Sequence, residues 1–258
     1  MVIGLLGIDF SSYNRGCGAL GYAALEIFNS ICEKKGEKLE VHVFLYRLNP
    51  MPKIQNDNII MHYIVIEPKR LAFWKKAYKS FKSCECVWDF TGGDSFSDIY
   101  GMKRFCLNSA LKQVAIWSRT KFVIGPQTIG PFTNKFALLW AKHILKKAKT
   151  CFVRDSISEE YVKETFKITP LLTTDVAFSL PYKAELRNKQ EKICIGFNPS
   201  GLLWEDTKGF CASKHIKLNY KEYVKGVLEF LCKNDCYKVY LIPHVFSEDM
   251  EIKEENDL

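Results

Sequence analysis

Short apolar runs alternate with amphipathic segments along most of this chain, and this alternation constrains the fold more than any other feature. The apolar runs have the length of buried strands. The segments between them place apolar residues at helical spacing. Strand–helix alternation of this kind predicts a parallel sheet with helices on both faces. The sequence therefore predicts an α/β fold with a Rossmann-like parallel sheet domain.

The predicted elements of this domain follow directly from the apolar pattern. We predict strands at Val2–Ile8, Glu40–Tyr46, Ile59–Ile66, Cys86–Phe90, Phe122–Ile124 and Thr150–Val153, and the segment Leu171–Ala177 closes the unit. We predict helices at Gly18–Lys35, Leu71–Lys82, Lys103–Trp117 and Phe136–Ala148, and a further helix that Asp155 or Ser156 caps and that ends at Phe166.

The segment Pro181–Glu191 is polar, charged and without apolar periodicity, which indicates an interdomain linker. We place an N-terminal domain at 1–182, on the acceptor side, and a second domain at 190–258, on the donor side. In the second domain we predict strands at Ile193–Phe197 and Tyr237–Ile242 and a helix at Tyr220–Leu231. Two strands are too few to bury both faces of a sheet. This domain is either a small appendage or the start of a second Rossmann-like domain in a C-terminally truncated chain, and we favour truncation.

Composition excludes several classes of protein. The N-terminus MVIGLLGIDF lacks a basic region, its apolar run is broken at Asp9, and no other stretch is long enough to cross a bilayer. We therefore expect a cytoplasmic protein with ten reduced cysteines. The pairs Cys84/Cys86 and Cys232/Cys236 lack zinc-finger spacing, so we expect no structural zinc.

The net charge of +8 comes partly from two lysine clusters, near residues 75–82 and 142–149. These clusters are either solvated helix faces or attract something acidic, such as a phosphorylated substrate or a lipid-linked acceptor at the inner membrane surface. No nucleic-acid-binding module accompanies them, so we expect no nucleic-acid partner.

The loop Asp89–Gly101, with the sequence DFTGGDSFSDIYG, follows a predicted buried strand and precedes a helix. Gly92 and Gly93 allow backbone N–H groups to approach a ligand closely. The N-terminus of the helix that follows the loop favours anions. Ligands of α/β sheets usually bind at this edge. We therefore predict that Gly93, Asp94 and Asp98 bind substrate; the alternative is a solvated turn.

Further polar residues follow other strands. Asn14 and Arg15 precede the first helix, where Arg15 either meets an anion or is solvated. Gln127 follows the fifth strand, and we expect its side chain to point into the same cleft. Arg154 and Asp155 end the sixth strand. Arg154 either grips a carboxylate or phosphate bidentately, or pairs with an acid such as Asp155 or Asp175.

Gly16-Cys17-Gly18-Ala19-Leu20-Gly21 matches the dinucleotide pattern G-x-G-x-x-G, but intervening residues separate it from the first strand and no acid ends the second. We therefore favour close helix packing over a nicotinamide site. His244 follows an apolar strand and could act as a general acid from the second domain. The other four histidines have no partner visible in the sequence.

These motifs together resemble the polysaccharide pyruvyl transferase family. The likeness rests on Asn14-Arg15-Gly16, Gly92-Gly93-Asp94 with Asp98-Ile99-Tyr100-Gly101, Gly125 with Gly130-Pro131, Val153-Arg154-Asp155 with Ser158, Thr174-Asp175, and Pro243-His244. The resemblance implies two Rossmann-like domains in a glycosyltransferase-B-like arrangement. It also implies transfer of the pyruvyl group of phosphoenolpyruvate to sugar hydroxyls as a ketal, without a cofactor.

By resemblance, His244 is the catalytic acid and Arg154 the donor anchor. From their expected location in the cleft, we place Asn14, Asp94 and Asp98 near the acceptor sugar. The partners implied are phosphoenolpyruvate and a glycan or lipid-linked glycan. Two alternatives remain: a sugar-nucleotide glycosyltransferase of similar shape, and a degenerate, non-catalytic carbohydrate-binding relative.

Overall fold

The computed structural model describes residues 1–10, 14–46, 54, 56–183, 192–206, 216–243 and 245. The chain divides into two compact units, one of Met1–Ser12 with Cys17–Leu180 and one of Tyr13–Gly16 with Pro181–Leu258. No helix within the described ranges has both the length and the hydropathy needed to cross a membrane.

The first unit is a seven-stranded, wholly parallel sheet. Its strands are β1 (Val2–Leu6), β2 (Leu39–Leu45), β3 (Ile59–Val65), β4 (Cys86–Asp89), β5 (Lys121–Gln127), β6 (Thr150–Val153) and β7 (Leu171–Leu172), in the spatial order β3-β2-β1-β4-β5-β6-β7. Its helices are α1 (Arg15–Lys35), α2 (Leu71–Ser83), α3 (Met102–Trp117), α4 (Lys135–Lys147) and α5 (Ser156–Phe166). The predicted α/β class and Rossmann-like parallel sheet are confirmed.

Helices cover both faces of this sheet, as predicted. Residues of α1 such as Leu20 and Ala24 form one apolar cluster with β1 and β2. Residues of the other four helices form a second cluster, which includes Phe81, Phe105 and Phe166. The strand order changes direction between β1 and β4, and the carboxyl ends of strands at such a switch point commonly form a ligand site.

Two segments of the first unit were not described in detail by the sequence. Within Leu171–Ala177, which closes the unit, Leu171–Leu172 pairs with β6, and a 3-10 turn follows at Val176–Ser179. Asp175 begins that turn by accepting a hydrogen bond from the backbone N–H of Ala177, at 2.9 Å. Helix α1 also begins earlier than predicted, at Arg15 rather than Gly18.

The second unit contains two parallel strands, β8 (Ile193–Phe197) and β9 (Tyr237–Leu241). Helices α6 (Gly201–Glu205) and α7 (Tyr220–Cys232) lie between them in the chain. The sequence predicted both strands and α7 but missed the short helix α6. The backbone of Asn14 forms an isolated antiparallel bridge with that of Val245, and both residues belong to this unit.

Candidate functional site

The candidate site is built around a tight turn at the carboxyl end of β4. Residues Thr91–Gly93 form a 3-10 turn, and all three residues have positive φ angles. The backbone N–H of Thr128, just after β5, donates to the carbonyl oxygen of Gly93 at 2.7 Å. The turn is therefore fastened to the neighbouring strand end and has a fixed shape.

Arg154, at the end of β6, lies against this turn. Its Nε donates to Thr128 Oγ1 at 3.0 Å, and its Nη1 pairs with Asp175 Oδ2 at 2.6 Å. A Cβ added to Gly93 would lie 2.8 Å from Arg154 Nη1. The guanidinium is thus oriented by two partners and packed on a glycine, with 28% of the side chain exposed to solvent.

The Arg154–Asp175 pair settles one alternative left open by the sequence: the nearby acid is Asp175, not Asp155. Pairing with one carboxylate does not occupy every donor of a guanidinium, which carries five N–H groups. Arg154 therefore has a structural partner and still has the donor capacity to bind an anion.

Asp94 directly follows the turn and belongs to a polar cluster with Ser95, Tyr100 and Arg104. Its carboxylate accepts hydrogen bonds from Ser95 Oγ at 3.1 Å and from the Tyr100 hydroxyl at 2.6 Å. Arg104 donates to Ser95 Oγ at 3.0 Å and lies 5.0 Å from the centre of the Tyr100 ring. Burial and the hydrogen bond to Asp94 raise the pKa of Tyr100 to about 12. At neutral pH the phenol therefore keeps its proton and donates it to Asp94.

Asp98 has hydrogen-bond partners in the backbone that the sequence did not reveal. Its carboxylate accepts from the backbone N–H groups of Thr133 and Asn134, with a shortest distance of 2.7 Å, and so holds the segment that leads into α4. Burial pushes the pKa of Asp98 upward, but these backbone donors outweigh it and the pKa is lowered. Asp98 therefore carries a negative charge and shapes the wall of the site; its contact with substrate stays a prediction.

Asp155 is the N-cap of α5, the first of the two caps that the sequence proposed. Its Oδ1 accepts from the backbone N–H of Ser158 at 2.7 Å, and its Oδ2 accepts from Thr128 Oγ1 at 2.8 Å. Burial raises and these hydrogen bonds lower the pKa of Asp155, with a lowered pKa as the net result. Asp155 thus orients Thr128, which in turn orients Arg154. Direct binding of substrate by Asp155 stays a prediction.

Gln127 does not line an open cleft, contrary to the sequence-based expectation, because its side chain is fully buried. Its Nε2 donates to the backbone carbonyl of Asp89 at 2.9 Å and to the Asp89 carboxylate at 3.0 Å. The amide of Gln127 therefore supports β4 from within the sheet. Its Oε1 has no hydrogen-bond partner within the described part of the chain.

The Asp89 carboxylate is the centre of a buried charged network that sequence reasoning missed. Lys112 of α3 lies 3.1 Å from it, and the two side chains are 1% and 2% exposed. The Thr91 hydroxyl donates to Asp89, at 2.7 Å to the nearer oxygen, and accepts from Lys112 Nζ at 2.6 Å. Burial lowers the pKa of Lys112, opposed by the nearby Asp89 charge. The network fixes the first residue of the Thr91–Gly93 turn.

One sequence signal for this network was available. Lys112 lies seven residues after Phe105, on the stripe of α3 that faces the sheet. A lysine on such a stripe requires a buried acid as its partner, because an unpaired charge in the core is costly. Asp89, at the end of the adjacent strand, was the nearest candidate.

Two predicted site regions are described only in part. Asn14 precedes α1 and its Oδ1 accepts from the backbone N–H of Gly16 at 2.9 Å, while Arg15 is the first residue of that helix. His244 lies outside the described residues, so its proposed role as an acid stays a prediction.

A comparison with models of known protein families gives a match that extends over residues 14–258, and the matching family is described as polysaccharide pyruvyl transferase. The chain belongs to the polysaccharide pyruvyl transferase family. The family places it among transferases that modify polysaccharides, with a glycan as acceptor.

Other comparisons add little. A crystal structure of a glycosyltransferase from Rickettsia africae ESF-5 is similar with a TM-score of 0.49 and 12% sequence identity, over 98% of this chain and 69% of that chain. A comparison with curated proteins gave no match.

Within this pyruvyl transferase fold, Gly93 can be tested against a matched glycine. Gly93 and Gly101 both have positive φ, at +87° and +95°, but a Cβ at Gly101 would meet no atom within 4 Å. We expect Gly101→Ala to lower the free energy of unfolding by about 1 kcal/mol, the cost of backbone strain alone. Gly93→Ala should cost about 2–3 kcal/mol and should also displace Arg154.

The measurement is urea denaturation of both variants, together with transferase activity. Only Gly93→Ala should lose activity beyond its loss of folded protein. Equal stability and equal activity in the two variants would contradict the close packing of Arg154 on this turn.

Proposed function

We propose that this chain transfers the pyruvyl group of phosphoenolpyruvate to two hydroxyls of one sugar residue, forming a cyclic ketal and releasing inorganic phosphate. The donor is the only small-molecule reactant besides the glycan, and no cofactor takes part. Support comes from two motifs on which the family resemblance rests, which lie far apart in the sequence and close together in the fold: the guanidinium of Arg154 packs on Gly93 of the Gly-Gly-Asp turn.

The charges of the site suit this donor. Phosphoenolpyruvate is a compact, highly charged anion, so its site needs an oriented guanidinium and backbone N–H donors. Arg154 is held by Thr128 and Asp175 and remains partly exposed. An arginine with these fixed partners loses little side-chain entropy when it binds an anion.

The reaction balances without a further reactant. A proton adds to the methylene carbon of the enol. A sugar hydroxyl attacks the neighbouring carbon, which already bears the phosphate ester oxygen. That carbon–oxygen bond breaks and phosphate leaves with the bonding electrons. A second sugar hydroxyl forms the second bond of the ketal. Both hydroxyls lose their protons: one balances the proton added to the methylene carbon, and the other leaves with the phosphate.

Within the proposal, His244 supplies the proton to the enol carbon, as general acids near neutral pH commonly do. Asp94 is our candidate to receive the hydroxyl proton of the acceptor, because its carboxylate directly follows the Gly-Gly turn and is held by Ser95 and Tyr100. Asn14 and Arg15, with Asp98, would contribute to acceptor binding. Lipid-linked glycans are one acceptor class, and the lysine-rich helix α4 would then favour an anionic membrane surface.

The test compares donors by thermal stabilisation of the full chain. We expect phosphoenolpyruvate at a hundredfold excess over its Kd to add about 2.7 kcal/mol to the free energy of unfolding and to raise Tm by several degrees. Uridine and guanosine diphosphate sugars should have no effect. Pyruvate and inorganic phosphate, added separately, are controls for the two halves of the donor.

Release of phosphate from phosphoenolpyruvate in the presence of candidate glycans then tests turnover. Stabilisation by a nucleotide sugar instead of phosphoenolpyruvate would support the glycosyltransferase alternative. Stabilisation by glycans alone, without phosphate release, would support a carbohydrate-binding relative that has lost catalysis.

A further inference from the structure

Three side chains suited to metal coordination meet on strands β2 and β3, outside the candidate site. Glu40 and His42 are two residues apart on β2, so they face the same side of the sheet. His62 on β3 stands directly opposite His42 in the parallel register. Strand β3 is an edge strand of the sheet, and the cluster therefore joins that edge to its neighbour.

The spacing of the donor atoms approaches that of a metal site. Glu40 Oε1 lies 3.0 Å from His62 Nε2 and 3.5 Å from His42 Nε2, and the donor atoms of all three residues lie within 4.8 Å of one another. In a tetrahedral zinc site with bonds of about 2.0–2.1 Å, neighbouring donor atoms are roughly 3.4 Å apart. Small side-chain rotations would bring the three donors to that spacing.

A second observation orients one of the rings. Ser80 of α2 is buried, and its Oγ lies 2.6 Å from Nδ1 of His42. That contact commits Nδ1 to the helix and leaves Nε2 directed toward Glu40 and His62. Metal-binding histidines are typically fixed in this way, by a hydrogen bond at the ring nitrogen that does not bind the metal.

We propose that Glu40, His42 and His62 bind one Zn²⁺ ion, which fastens the edge strand β3 to β2 and leaves a fourth coordination position to water. Two imidazoles and one carboxylate are a donor set that Zn²⁺ accepts. The side chains of His62 and Glu40 are 48% and 38% exposed, so the ion can enter from solvent. The cysteine spacing gave no reason to expect zinc, and this cluster contains no cysteine.

This inference does not depend on the proposed transferase function, because Glu40 and His42 lie in the first half of β2 whereas the candidate site follows the carboxyl ends of β4–β6. The competing interpretation is an ordinary ion pair or hydrogen bond between Glu40 and His62. The two interpretations differ in whether the residues bind metal.

The experiment is a calorimetric titration of the full chain with ZnCl₂ after treatment with a chelator. The parent should carry Cys232→Ser and Cys236→Ser, because these exposed thiols could bind zinc on their own. We expect one high-affinity ion per chain. His62→Ala should lower the affinity at least 100-fold, and Ser80→Ala, which removes only the orienting contact, should lower it about tenfold.

His143→Ala is the matched control, since His143 is exposed on α4, away from this cluster in the fold. It should leave zinc affinity unchanged. Zn²⁺ should raise the Tm of the parent and of His143→Ala but not that of His62→Ala. Circular dichroism checks that each variant folds; His62→Ala removes an exposed side chain and should remain folded. Unchanged zinc affinity in His62→Ala, or the absence of saturable binding in the parent, would overturn the proposal.

Discussion

Lys112→Met should lower the free energy of unfolding by about 3–5 kcal/mol, although it replaces a charged residue with an apolar one of similar length. The substitution leaves the Asp89 carboxylate buried without its cation, and it removes the donor to Thr91. Urea denaturation measures the effect. A loss of this size is a large part of the stability of a typical domain.

The control for this prediction is Lys103→Met, an exposed lysine at the start of the same helix, which should change stability by no more than about 0.5 kcal/mol. The double variant Asp89→Asn with Lys112→Met removes both charges and should recover much of the loss. A single variant as stable as the wild type would show that the charge pair does not form.

Arg154→Ala should lower kcat/KM for phosphoenolpyruvate about 100-fold to 1,000-fold, because it removes the guanidinium proposed to hold the donor. Arg154→Lys should recover part of this loss, since lysine keeps the charge but lacks the planar fork. The measurement is phosphate release with a glycan acceptor. His244→Ala, assayed in parallel, should lower kcat by a factor of about 10²–10⁴ if the imidazole is the acid.

Stability must be separated from donor binding at this residue, because Arg154 also pairs with Asp175. Asp175→Asn breaks the ion pair but keeps the guanidinium, so it should cost about tenfold in kcat/KM, clearly less than Arg154→Ala. Arg70→Ala removes an exposed arginine that pairs with Glu67 and should leave activity unchanged. Equal activity losses in Arg154→Ala and Asp175→Asn would indicate that Arg154 serves the fold alone.

The sequence predicted most of the fold because strands β1–β6 are short and rich in apolar residues, with polar residues alternating in β2, and because the helices have clear periodicity. It did not assign the structure of Leu171–Ala177, where apolar residues continue past the last strand pairing and Asp175 starts a 3-10 turn. Apolar composition alone does not distinguish a strand from a turn that packs against the sheet.

The sequence indicated which strand ends surround the candidate site but not how its side chains are hydrogen-bonded. Arg154 and Gly93 were placed at one sheet edge, and the structure brings them together. By contrast, the sequence could not show that Asp98 and Asp155 accept backbone hydrogen bonds or that Gln127 is buried. Those outcomes depend on the exact course of the loops, which the local sequence does not determine.

The pairing of Asn14 with Val245 has a practical consequence for dissecting the molecule. The first turn of α1 is shared between the two units, since Tyr13–Gly16 groups with the C-terminal unit and Cys17 onward with the N-terminal one. A recombinant fragment that stops at Leu180 would retain α1 but would lack Val245, the residue whose backbone forms the bridge with Asn14. Truncation at the linker therefore perturbs the residues that begin α1, even though every strand of the seven-stranded sheet is kept.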